Sequence, residues 1–291
     1  MKRILVPLDG SRLSEAIVPL AEALARDYDA QLLLVRALRT LNSAEAEVKA
    51  QEEAEIYLRG MADELTARGL RVEWKVWYDE PGRAIADAAR FNAADLITMT
   101  THGRGGLSRL MFGSVAESLV RMAPVPVLLV RGELAWYPGG LRKIVVPLDG
   151  SERSEAILPV VERLAGPFDL SVELLRAIEP LPAYAAAEIS SARTEEMIAL
   201  EEADAEGYLR KVATPLEAKG LRVARCVGRG LAVDVILRRA EETGAGLVAM
   251  STHGRTGVGR LLIGSVAERV LRSAPVPVLL WKAPAGKPAA G

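Results

Sequence analysis

An internal repeat dominates this sequence of 291 residues. Residues 4–11 read Ile-Leu-Val-Pro-Leu-Asp-Gly-Ser, and residues 144–151 read Ile-Val-Val-Pro-Leu-Asp-Gly-Ser, at an offset of 140. Residues 101–104 and 252–255 both read Thr-His-Gly-Arg at an offset of 151, so the second copy carries an insertion of eleven residues. Each copy is long enough to bury its own core, and the repeat therefore predicts two tandem copies of one domain.

The repeat also sets the domain boundaries that we predict. Domain one occupies residues 1–131, a linker residues 132–141, domain two residues 142–283 and a flexible tail residues 284–291. The linker contains Pro138-Gly139-Gly140, and such clusters are typical of connecting segments.

Short apolar stretches alternate with longer helical stretches inside each copy. Copy one has predicted strands near 4–8, 32–37, 72–76, 96–99 and 125–130, and predicted helices near 11–26, 43–68, 83–92 and 114–122. Strands that alternate with helices form parallel βαβ units with right-handed crossovers. The predicted fold is α/β, with two tandem Rossmann-like domains, each an open, doubly wound, mainly parallel five-stranded sheet flanked by helices. Pro19 and Pro159 predict a kink within the first helix of each copy.

Composition excludes several classes of protein. The net charge is −1 and no basic stripe is present, so we expect no nucleic-acid partner. The apolar start breaks at Pro7 and no window could span a bilayer, so we expect no signal peptide, no membrane contact and a cytoplasmic location. The sole cysteine, Cys226, excludes a disulfide framework and a cysteine-rich metal site.

In an open parallel sheet, ligands bind beyond the carboxyl ends of the strands, and three segments of each copy meet there. The first segment contains Pro7 and Asp9 in copy one, and Pro147 and Asp149 in copy two. Each aspartate is placed to bond a ribose hydroxyl or to hold a metal ion. Alternatively, it shapes the turn and helps to cap the following helix.

The second segment is the loop before the final helix of each copy, residues 100–114 and 251–265. Its glycines allow close backbone approach, and the first amides of the following helix favour an anion. The residues of this loop that we assign to the site are Thr100, His102, Gly103, Arg104, Gly113, Ser114, Val115, Ser251, His253, Gly254, Arg255, Gly264, Ser265 and Val266. Arg109 and Arg260 add positive charge. The alternative is that residues 114–117 and 265–268 form capping boxes, which need no ligand.

His102 and His253 occupy equivalent places in the two loops. We interpret them as residues that order the loop through hydrogen bonds, because no cysteine or second histidine is present to complete a metal site. The loop also lacks the Gly-Lys-Ser/Thr ending of a P-loop, which favours binding over hydrolysis. In the third segment, the small residues Ala37 and Ala177 leave room for a flat base, although packing alone explains them equally well.

Together these residues resemble the universal stress protein family in its tandem form. The loop of the family's ATP-binding branch runs Gly, two residues, Gly, nine residues, Gly, then Ser or Thr. The spacing matches in both copies, with Thr100 and Ser251 in place of the first glycine. The resemblance implies ATP as cofactor, with Mg²⁺ near Asp9 and Asp149, a ribose at these aspartates, and adenine against the backbone of Ala37 and Ala177. It also implies intramolecular pairing of the two copies through their last strands, and it allows a homodimer.

Three hypotheses of function follow. The first is a stress-response protein that binds ATP at one site per domain, with little or no catalysis. The second is an interaction scaffold that kept the fold but lost the ligand. The third is a slow ATPase.

Overall fold

The computed structural model describes residues 1–40, 43–101, 113–131, 141–166, 170–180, 191–252 and 263–282. The chain forms two compact units. The first contains residues 1–140 together with Pro277–Lys282, as far as these residues are described, and the second contains most of the remainder. No helix within the described ranges is long and apolar enough to cross a membrane.

The described elements of the first unit follow the expected alternation of strands and helices. They are β1 (Arg3–Pro7), α1 (Arg12–Glu15), α2 (Val18–Asp27), β2 (Gln31–Leu38), α3 (Ala44–Ala67), β3 (Val72–Tyr78), α4 (Pro81–Phe91), β4 (Leu96–Thr100), α5 (Ser114–Met122) and β5 (Val127–Val130). The five strands lie in the order β3-β2-β1-β4-β5, and all four contacts between neighbours are parallel.

The second unit repeats this order. Its described elements are β6 (Lys143–Pro147), α6 (Glu152–Glu155), α7 (Leu158–Ala165), β7 (Ser171–Ile178), α8 (Ser191–Ala218), β8 (Arg222–Arg229), α9 (Ala232–Glu242), β9 (Leu247–Ser251) and α10 (Ser265–Ser273). The strands lie in the order β9-β6-β7-β8, and all three contacts are parallel.

The central strands of both units are buried on both faces. Ile4, Leu5 and Val6 of β1 are fully buried, and so are residues 32–35 of β2 and residues 144–146 of β6. A strand covered by helices on both sides needs apolar residues at successive positions rather than at alternate ones. The predicted α/β fold with parallel, doubly wound sheets is confirmed.

Proline breaks the first helix of each copy. The predicted helix over 11–26 ends at Glu15 and begins again at Val18, so that Pro19 lies in the first turn of α2. Pro159 has the same place in α7. Our expectation of a kinked continuous helix was wrong in form: because proline lacks an N–H group, the helix restarts just before it.

A short strand near the end of the chain, β10 (Val278–Trp281), belongs to the first unit. It runs antiparallel to β5, with Leu279 opposite Leu128 and Val278 opposite Leu129. Val278, Leu279 and Leu280 are almost completely buried. The described part of the first unit therefore has six strands and that of the second unit four, whereas the sequence predicted five in each. An apolar edge strand is covered in this way by a second strand.

Candidate functional site

The carboxyl ends of β6, β7 and β9 meet the amino end of α10 around a cavity of about 880 Å³ in the second unit. Seven of the residues predicted for a site in this copy line the cavity: Pro147, Asp149, Ala177, Ser251, Gly264, Ser265 and Val266. His253, Gly254 and Arg255 lie outside the described residues. A cavity of this size can enclose a ligand as large as a nucleotide.

The first unit presents the equivalent residues at the same edge of its sheet. Pro7 is the last residue of β1 and Thr100 is the last residue of β4. Ala37 is the last but one residue of β2 and pairs with Trp77 of β3. Asp9 follows β1, while Gly113, Ser114 and Val115 begin α5. His102, Gly103 and Arg104 lie outside the described residues, as do Arg109 and Arg260.

Each aspartate of the first segment organises a tight turn. The Oδ1 atom of Asp149 accepts a hydrogen bond from the Ser151 amide at 3.0 Å and another from the Ser151 hydroxyl. The Ser151 hydroxyl in turn accepts a bond from the Ser154 amide at 3.2 Å and so caps α6. Asp9 and its neighbours make the same bonds. Gly10 and Gly150, at φ of +80° and +84°, supply the left-handed backbone that the turn requires. The interpretation of each aspartate as a turn residue is thus confirmed, and its contact with a ligand stays a prediction.

The amino ends of α5 and α10 lack the side-chain caps that the sequence suggested. The capping residues are Gly113 and Gly264, and Ser114 and Ser265 are already the first helical residues. Within the described ranges, neither helix has a side-chain hydrogen bond at its cap, and Glu117 and Glu268 pair with Arg121 and Arg272. The capping-box alternative was wrong, because each helix begins one residue earlier than a box requires, so that the serine is the first helical residue and not the capping residue.

This register places the amino end of α10 at the cavity. The Gly264 amide donates to the Thr252 carbonyl at 2.6 Å, and the Glu268 amide donates to the Gly264 carbonyl at 2.9 Å. Ser265 and Val266, which lie between these two residues, line the cavity at the positive end of the helix. Uncapped amides at a helix start are suited to an anion.

The residue that replaces the first loop glycine is buried in both copies. Thr100 is 4% exposed and Ser251 is 8% exposed. The Ser251 hydroxyl lies 3.4 Å from the Ser154 carbonyl, which accepts its hydrogen bond. The hydroxyl therefore ties the end of β9 to α6.

Sequence reasoning missed two residues that line the cavity, Arg176 and Tyr208, and their neighbour Glu155. The Arg176 guanidinium lies over the Tyr208 ring, and the Tyr208 hydroxyl donates to the Glu155 carboxylate at 2.9 Å. Arg36, Tyr57 and Glu15 repeat the arrangement in the first unit. The repeat offsets of 140 and 151 relate these triplets, so a position-by-position comparison of the two copies would have revealed them.

These tyrosines hold their protons firmly. Burial raises the pKa of Tyr208 well above its ordinary value, and the hydrogen bond to Glu155 raises it further. The pKa of Tyr57 is raised for the same reasons, with Glu15 as the acceptor. The neutral phenol is thus the form that the folded protein requires.

The outer wall of the cavity is acidic. Glu179 follows β7, and Glu201 and Asp204 lie on α8. The Glu179 carboxylate accepts a hydrogen bond from the Ala232 amide at 3.4 Å, at the amino end of α9. Among the residues that the structure describes, no three His, Cys, Asp or Glu side chains form a group that could hold a metal ion.

Comparison with known proteins gives consistent matches. A model of the Universal stress protein family matches residues 1–131 and again residues 140–282. A universal stress protein of Methanocaldococcus jannaschii is 35% identical over 148 residues, covering 49% of this chain and 83% of that protein. One from Mycolicibacterium smegmatis is 25% identical over 293 residues, covering 95% and 96%. The structure of a universal stress protein from Archaeoglobus fulgidus shares the fold, with a TM-score of 0.73 at 20% identity over 97% of this chain and 98% of that chain.

Proposed function

The chain belongs to the universal stress protein family, and from this premise we propose that it is a stress-response protein that binds ATP at one site in each unit. In the second unit, the amides at the start of α10 would receive the phosphates and Asp149 the ribose. The backbone near Ala177 would receive the base. Mg²⁺ would enter with the nucleotide, because in such sites it is held by one or two carboxylates together with phosphate oxygens.

The observation that carries this proposal is the convergence at the cavity of the second unit. Residues far apart in the sequence, from Pro147 to Val266, line one space, and this lining includes the start of α10, whose capping residue is Gly264. If residues 265–268 had formed a capping box, the cap would have explained the serine without any ligand. The observed register removes that explanation and favours an anion at this helix end.

The proposal can be tested by calorimetric titration of ATP into the wild-type protein, Gly113→Val, Gly264→Val and the double variant. Gly113 and Gly264 have φ values of −64° and −55°, which valine also adopts, so the folds should persist while the new side chain fills the approach to the amides. We expect two sites in the wild type, one in each single variant and none in the double variant. Gly207→Val is the matched control, because a side chain at Gly207 meets open space.

The interaction scaffold is the second candidate, and one observation favours it. The first loop glycine is replaced in both copies, and the hydroxyl of Ser251 already has a partner within the protein. Absence of both heat and thermal stabilisation at millimolar ATP would support the scaffold and reject ATP binding. Phosphate release above background, lost in the double glycine variant, would instead favour the slow ATPase.

We also propose that the last strands of the two sequence copies pair within one chain, so that a monomer resembles a dimer of the single-domain form. The antiparallel contact of β5 and β10 supports this arrangement. Cysteines introduced as Leu128→Cys and Leu279→Cys occupy directly opposed positions. With Cys226 replaced by Ala, we expect a disulfide within the monomer. A linked dimer as the main product would show that the strands pair between chains.

A further inference from the structure

The residues that line the cavity of the second unit differ in charge from the residues at the corresponding positions of the first unit. In the second unit, the described lining of the cavity contains four carboxylates, those of Asp149, Glu179, Glu201 and Asp204, and one guanidinium, that of Arg176. The formal charge of this lining is thus −3. The lining is otherwise suited to an anion, so the excess of carboxylates bears on which anion it accepts.

The equivalent positions in the first unit follow from the repeat offsets of 140 and 151. They are Asp9, Arg39, Ala50, Glu53 and Arg36, and their formal charge is zero. Two replacements cause the difference, Glu179 in place of Arg39 and Glu201 in place of Ala50. The loops at 102–112 and 253–262 each contain two arginines and no acid, so they leave the difference unchanged.

The surroundings of the two variable positions also differ. Arg39 forms an exposed ion pair with Glu80 at 2.8 Å, whereas Glu179 accepts a bond from the Ala232 amide and forms no ion pair with any residue that the structure describes. If Glu80 is included for the first unit, the difference falls from three charges to two. A cleft with an excess of one sign of charge focuses its field on the ligand, so this difference in charge should affect the binding of any charged ligand.

We propose that the two units select different charge states of the adenine nucleotide, and that Glu179 and Glu201 make the second unit prefer the less anionic one. This inference rests on the proposed ATP binding. The second unit should take ATP mainly as its magnesium complex, or take a nucleotide with fewer phosphates. The first unit should accept free ATP more readily.

The test uses proteins with one working site, Gly264→Val for the first unit and Gly113→Val for the second. Dissociation constants for ATP and AMP are measured by calorimetry at low salt with EDTA. We expect the ratio of the ATP constant to the AMP constant to be about tenfold higher in the second unit than in the first, since the two linings differ by two or three charges and low salt screens exposed charges only weakly. Added Mg²⁺ should remove most of this difference, because MgATP and AMP carry equal charge, and high salt should also reduce it.

Exchange of the variable residues should exchange the preference. Glu179→Arg with Glu201→Ala should bring the ratio of the second unit to that of the first, and Arg39→Glu with Ala50→Glu should do the reverse. Glu206→Arg is the control, since Glu206 is exposed on α8 but does not line the cavity.

The possible failures are distinguishable. Equal ratios in the two units at low salt, or a shift of the ratio by the Glu206 control as large as that by the exchange, would overturn the inference and leave ATP binding intact. No binding of either nucleotide by either unit would overturn the proposed function, and this inference with it.

Discussion

The Arg176 guanidinium lies 5.9 Å from the centre of the Tyr208 ring, where β7 meets α8 beside the cavity. The guanidinium also packs against the turn at Gly150, and Tyr208 bonds to Glu155 of α6. One stacked pair therefore joins the turn after β6, the end of β7 and a long helix. The first unit repeats it with Arg36 over Tyr57 at 5.3 Å. The pair fixes the relative positions of elements that come from distant parts of the sequence.

Tyr208→Phe keeps the ring beneath Arg176 and removes the hydroxyl that bonds to the Glu155 carboxylate. We expect the free energy of unfolding of the second unit to fall by about 1–2 kcal/mol, because a bond to a charged acceptor is lost in a half-buried place. Thermal unfolding measures this loss. Tyr78→Phe is the control, since its exposed bond to Gln51 should contribute less than about 0.5 kcal/mol. A Tyr208 variant as stable as the wild type would show that the bond contributes nothing.

Alkaline pH should destabilise the protein through Tyr57 and Tyr208. Each phenol has a pKa raised by burial in the folded state, so above about pH 10 the unfolded chain releases protons that the folded chain retains. The contribution of each residue is complete below the unfolded pKa and is lost as pH rises, at up to about 1.4 kcal/mol per pH unit. The double variant Tyr57→Phe/Tyr208→Phe should show a shallower fall of melting temperature between pH 9 and 11. An identical slope in the wild type and the variant would contradict this.

The strands could be predicted from the sequence because burial on both faces requires continuous apolar runs, as in residues 4–6. The start of α5 could not. A Ser-x-x-Glu pattern is the same whether its serine caps the helix or is the first helical residue. The choice depends on a tertiary contact, the bond from the Gly113 amide to the Thr101 carbonyl at 3.1 Å. Local sequence does not encode that contact.

Two other features needed the structure for the same reason. The strand at 278–281 has the apolar pattern that is typical of a buried strand. This pattern does not predict which strand lies beside it, and the structure shows that the neighbour is β5. Arg176 and Tyr208 are 32 residues apart, and Arg36 and Tyr57 only 21 apart, because the insertion of the second copy lies between Arg176 and Tyr208. The arrangement therefore has no fixed sequence spacing by which it could be recognised, although the same residue types, Arg, Tyr and Glu, form it in both units.

Two glycines of the first unit should respond to alanine in opposite directions. A Cβ atom at Gly82 would lie 2.7 Å from the Ser118 hydroxyl and 3.3 Å from the Leu119 amide, so α4 and α5 must move apart. We expect Gly82→Ala to cost about 1–3 kcal/mol of unfolding free energy through overpacking. Gly60 lies in α3 with nothing near its missing Cβ, and Gly60→Ala should stabilise by about 0.5–1 kcal/mol. Thermal melting of both variants tests this expectation. If the melting temperatures of Gly82→Ala and Gly60→Ala shifted in the same direction, the packing argument would be refuted.

A buried ion pair in the second unit has an apolar counterpart within the same chain. Glu173 is 1% exposed and accepts two hydrogen bonds from the Arg239 guanidinium, at 2.8 and 2.5 Å. The equivalent residues of the first unit are Leu33 and Ala88. Arg239→Ala leaves the buried carboxylate without its hydrogen-bonded partner, with Lys143 at 4.0 Å as the remaining cation, and should cost about 3–5 kcal/mol of unfolding free energy.

The double variant Glu173→Leu/Arg239→Ala reproduces the pair of the first unit and should recover most of this loss, because it removes the unpaired charge as well as its partner. Chemical denaturation of the single and double variants, followed by a probe in the second unit, measures the recovery. If the double variant were as unstable as Arg239→Ala, the loss would come from the packing of the arginine side chain and not from the buried carboxylate.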